Sequence, residues 1–184
     1  MGRLAFGSLI AAVAMFLLGF LFYGSPLFNV ARVDIPADTQ LAVHAALQAL
    51  PKTGFYAVPF AESGDAALVA AHAAGPIATI HLTKPGSPVM DPSIMIAGFL
   101  HMFVSAFLLG YILWAMRGRL GEFDGRMKLV ALIAFATTVY FNIGKAVWWP
   151  GGWTFNLYVA VADFVMLVAA GFIIARWFMP RSAS

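Results

Sequence analysis

The stretch LAFGSLIAAVAMFLLGFLFYG, Leu4 to Gly24, carries no charged residue. At a rise of about 1.5 Å per residue, a helix of this length reaches across a hydrocarbon layer about 30 Å thick. A secretory signal is the rival reading, since Arg3 supplies a positive start and Val30-Ala31 a possible cleavage point. The run nevertheless exceeds the apolar part of a signal, about 7–15 residues, and Phe20, Phe22 and Tyr23 form an interfacial aromatic belt near its end. It is read as an uncleaved membrane anchor.

Three further apolar runs, 94–116, 129–149 and 155–175, have the same reach. Composition agrees: 62% of residues are hydrophobic and 10% charged, against about 25% charged in soluble domains. Mean hydropathy is +0.87. The expected fold is an integral membrane, mainly α protein: a four-transmembrane-helix bundle with a small α+β extracytoplasmic module between helices 1 and 2.

The placement of Lys and Arg gives this layout a direction. Four spans put both termini on one side. Arg3, then Arg117, Arg119, Arg126 and Lys128 in the 117–128 loop, then Arg176 and Arg181 in the 176–184 tail all fall on that face. Basic residues collect on the cytoplasmic side of membrane proteins, so that face is expected to be cytoplasmic. The other face holds residues 25–93, with Arg32, Lys52 and Lys84 spread along them, and the 150–154 turn. Trp114 and Trp177 mark the inner interface; Trp148, Trp149 and Trp153 mark the outer one. The net charge of +3 thus reflects topology and not a nucleic-acid surface. With no cysteine there is no disulfide framework, thiolate nucleophile or Cys-based metal site.

Prolines 26, 36, 51, 59, 76, 85, 88 and 92 break the 25–93 segment into short pieces. From Asp38, read as an N-cap, Val43, Leu47 and Leu50 recur at helical spacing until Pro51 ends the helix. Phe55 to Phe60 reads as a strand, Ser63 as the cap of an Ala-rich helix through Ala74, and Ile77 to Thr83 as a second strand. Such a module buries little apolar area alone, so it is expected to rest on the outer ends of the spans or on a partner.

Polar side chains inside apolar spans are costly and therefore mark function or helix pairing. His101, Asn142, Lys145 and Asp163, with Tyr140 nearby, fall at comparable depth in the outer half of the spans. As a cluster they would let Asp163 pair with His101 or Lys145, either as interhelical glue or as a site for a headgroup, a quinone oxygen or a proton. A haem would need a second imidazole facing His101, and the spans hold none; Met102 and Met166 offer only His/Met ligation. His44, His72 and His81 follow no metal-ligand spacing. No G-x-S-x-G, P-loop or G-x-G-x-x-G pattern is present. No catalytic residue, metal or cofactor is therefore assigned.

Gly7 and Ala11, Gly98 and Gly110, and Ala169-Ala170-Gly171 are small enough to let helix backbones approach closely. In layout, and in Leu50-Pro51 followed by Gly54-Phe55-Tyr56 and Pro59, the chain resembles an uncharacterised family of four-span bacterial inner-membrane proteins with an extracytoplasmic module after the first span. That resemblance implies no activity. It marks Gly54–Pro59 as a hallmark of the module, with Gly54 allowing a tight turn and Tyr56 anchoring the strand on the membrane surface. The expected function is a non-enzymatic accessory or assembly subunit of a larger membrane complex; the alternative is a small transporter or lipid/quinone-binding protein using His101 and Asp163. Expected partners are membrane lipids and other membrane subunits or a second copy, with no nucleic acid.

Overall fold

The computed structural model describes residues 1–149 and 151–179. Pro150 of the expected turn and Arg181 of the expected tail lie outside them. The protein is mainly helical, and four helices are long and apolar enough to cross a membrane: α1 (Gly2–Tyr23), α4 (Pro92–Ala115), α5 (Phe123–Trp148) and α6 (Trp153–Phe178). Between α1 and α4 come α2 (Ala37–Gln48), strand β1 (Gly54–Val58), α3 (Ala66–Ala74) and strand β2 (Ala78–Leu82).

The long helices pack in the order α4, α1, α6, α5, with α4 also touching α6. Their contacts are made by small residues. Ala11, Ala106, Ala134, Ala162 and Ala170 are almost fully buried, and Leu4, Met15, Leu113, Val130, Met166 and Ile174 fill the space between them. A Cβ on Gly171 would lie 2.3 Å from Val130 Cγ1, one on Gly7 2.4 Å from Phe178 Cγ, and one on Gly110 2.8 Å from Leu4 Cδ1. These three glycines let backbones meet where no side chain fits. Gly98, expected to act likewise, faces open space. At one end Arg3 donates to the Trp177 carbonyl at 3.0 Å, and the Phe6 and Phe178 rings meet edge to face, so α1 begins where α6 ends.

The third long helix starts earlier than its apolar run. Phe123 and Met127 pack on the core, which draws the chain into helix six residues before Leu129 and buries Arg126 within it. Asp91 caps α4: the Ser93 hydroxyl donates to its carboxylate at 2.7 Å and the Ser93 amide at 2.9 Å. These bonds, the hydroxyl's foremost, hold the Asp91 carboxyl below the usual carboxylate range.

The segment between α1 and α4 contains the expected helices and strands with different caps. Helix α2 starts after Pro36, so Asp38 sits in its first turn and is not its cap. Asp65, not Ser63, caps α3, accepting from the amides of Ala67 at 2.8 Å and Leu68 at 3.3 Å. Strands β1 and β2 pair antiparallel, Gly54 opposite Leu82 and Val58 opposite Ala78. Lys84 ties α2 to this hairpin, its amide donating to Thr53 Oγ1 and its ammonium to the Gln48 carbonyl. The Tyr56 hydroxyl donates to the Lys52 carbonyl at 2.7 Å, holding the turn before its own strand. Gly54 does not have the positive φ that would require glycine.

Filling the tightest crossing should be costly. Gly171→Leu is expected to lower stability by about 1–3 kcal/mol, because Val130 is a stiff neighbour with nowhere to go. Gly98→Leu, at an open position, should change it by about 0.5 kcal/mol or less. Thermal unfolding of both variants in detergent checks this.

Candidate functional site

Helix α5 directs a row of side chains at its neighbours: Val130, Ala134, Thr138, Asn142 and Ala146, spaced by four, are all buried. A regular α-helix would rotate such a row by about 40° per step and carry its end away from α6. The π-helical turn at Val139–Ile143 takes up one extra residue and turns the row back. Asn142 thereby faces α6, while Tyr140 and Phe141 on the same turn are 77% and 58% exposed.

Across that contact, Asn142 Nδ2 donates to Asp163 Oδ2 at 2.8 Å. Asp163 lies ten residues, about 15 Å, into α6. Its partner is therefore an amide, and neither His101 nor Lys145 forms an ion pair with it. The reason is facial: α4 buries Ala106, Leu109, Gly110 and Leu113, which leaves His101 on the outward side with Leu100, Val104 and Leu108. Of the five residues expected to cluster, the structure joins two. Tyr140 stands largely exposed and meets Phe141 edge to face.

Near this pair the end of α1 and the start of α6 are covered by aromatic rings. Tyr158 stacks edge-on with Phe22 and Tyr23, and its hydroxyl donates to the Phe22 carbonyl at 2.5 Å. Phe28 joins the same group. Other polar groups in the long helices bond to their own backbone: Ser8 to Leu4, Thr138 to Phe135, Asn156 to Gly152. These bonds satisfy the groups without extending the Asn142–Asp163 pair.

Lys145, one turn beyond Asn142, is exposed and lines a cleft of about 610 Å³ between the β-hairpin and the ends of α5 and α6. Phe55, Thr79 and His81 form its hairpin side; Lys145, Trp149 and Asn156 form its helix side. The hairpin register sets Phe55 opposite His81, ring centroids 5.2 Å apart, and Phe55 meets Trp149 edge to face at 5.2 Å. His81 and Phe55 were not legible as site residues, because only the hairpin register and its contact with Trp149 bring them to Lys145. Among the expected anchors, Trp148, Trp153 and Trp177 stand well exposed, while Trp114 is half-buried under the Arg117 guanidinium, 4.3 Å from its ring centre.

Among the described residues no three His, Asp or Glu side chains gather as a metal site would require, and His44 and His72 stand apart on α2 and α3. No protein-family model, curated protein or solved structure matches the chain.

The paired amide and carboxylate should behave as a structural unit. Asn142→Leu strands the Asp163 carboxyl and is expected to cost about 1–2 kcal/mol, whereas Asp163→Asn keeps an acceptor for Asn142 and should cost less than half as much. Chemical or thermal unfolding midpoints in detergent distinguish the two.

Proposed function

We propose that the chain is an integral protein of a bacterial inner membrane, with both termini cytoplasmic and residues 25–93 extracytoplasmic, that serves as a non-enzymatic accessory or assembly subunit of a larger membrane complex. One observation carries the reading: no described side chain from 25 to 93 is buried. Helices α2 and α3 leave Leu41 69%, Val43 49% and Val69 49% exposed. A folded segment that shelters so little apolar surface gains stability when another surface covers it, as a subunit contact does. The four apolar helices support the membrane assignment, and gathering of Arg3, Arg117, Arg119, Arg126 and Arg176 at their loop-and-termini end supports the orientation. The resemblance in layout to four-span inner-membrane proteins fits the same picture.

Isolated from its native membrane in mild detergent after brief crosslinking, the protein should migrate well above a monomer and carry a second membrane protein with it. Leu41→Glu combined with Val69→Glu should release that partner while leaving the chain in the membrane. A monodisperse monomer would contradict the proposal.

A further inference from the structure

The cleft at Lys145 has neighbours along the helices. Lys145 and Trp149 also line a second recess of about 490 Å³ on the outer surface of α5, and Val139 and Ile143 on that recess line a third, of about 380 Å³, between α5 and α6. The third is a groove walled by Val139, Ile143, Leu157, Val161 and Phe164, with almost no polar surface. The three recesses share lining residues in turn and so trace a path along α5, polar under the hairpin and apolar along the helices.

The charge at the polar end is uncompensated. Lys145 makes no ion pair or hydrogen bond among the described residues, and no Asp or Glu lines either recess it faces. His81 and Thr79 add hydrogen-bonding groups beside it, and Trp149 and Phe55 supply the aromatic surface that flanks headgroups at a membrane interface. An ammonium on one side and a hydrocarbon groove on the other match an anionic head joined to an alkyl chain.

We propose that this path binds one anionic glycerophospholipid, its phosphate against Lys145, His81 and Thr79 and one acyl chain in the groove between α5 and α6. The site rests on the long helices being membrane spans and not on the accessory-subunit reading. Lys145 is the specificity-determining residue, and the groove supplies affinity for the chain irrespective of headgroup.

Native mass spectrometry tests this on full-length protein purified in mild detergent and supplied with phosphatidylglycerol and phosphatidylcholine of the same chain length. Retention of phosphatidylglycerol should exceed that of phosphatidylcholine about tenfold, the worth of one charge-assisted contact. Lys145→Gln should bring the ratio close to one, and Lys145→Arg should preserve it. Because Lys145 is exposed, both variants should keep the parental unfolding midpoint. Ala160→Trp, which fills the groove, should reduce retention of both lipids. Inorganic phosphate at millimolar concentration should not displace the lipid, since it lacks the chain. Equal retention of the two lipids, an unchanged ratio in Lys145→Gln, or preferential displacement by oleate would each overturn the proposal. The first two would do so even if the protein still co-purified with a partner subunit, so failure here is separable from failure of the accessory reading.

Discussion

How closely the long helices approach is set where glycine replaces a side chain. Gly7 under Phe178, Gly110 against Leu4 and Ile174, and Gly171 against Val130 lie at the crossings of α1 with α6, α4 with α1 and α6, and α6 with α5. Between apolar helices in lipid the hydrophobic effect offers no preference for protein over acyl chains, so dispersion contact at close range must supply the attraction. Alanines at 11, 106, 162 and 170 continue the same arrangement along each seam. The order α4, α1, α6, α5 follows from which faces carry these small residues.

Upon that frame one polar contact is added, and the helix is distorted to make it. The π-turn in α5 corrects the drift of a row spaced by four and brings Asn142 to Asp163. The same turn sends Tyr140 outward and leaves Lys145 free to face the hairpin. A structural pair and a cationic cleft thus arise from adjacent turns of one helix. Near the cleft, contact between the hairpin and the helices centres on Phe55 and Trp149, which leaves α2 and α3 free to meet another surface.

The four long helices were legible because length and hydropathy alone decide them. The module's helices and strands were legible from turn residues and spacing, though Asp65 displaced Ser63 as a cap because its carboxylate reaches two amides. That Asn142 and Asp163 lie at one level of the bundle was readable as well, and the two side chains meet. Which polar residues share a face was not: His101 and Asp163 have matching depth but sit on helices whose buried stripes exclude His101, and a π-turn leaves no signature in composition. The cleft was invisible for the same reason, since Phe55 and His81 come from a hairpin whose seat on Trp149 depends on tertiary contact.

Orientation of this frame is the most direct point of decision, and the absence of cysteine makes it measurable without background. Single cysteines introduced as Ser87→Cys and Gly118→Cys, the chain being produced in a bacterial host, can be probed with a membrane-impermeant maleimide. The account predicts labelling of the Ser87→Cys protein on intact cells, and of the Gly118→Cys protein only after the inner membrane is opened. Labelling of the Gly118→Cys protein on intact cells, with the Ser87→Cys protein protected, would contradict it.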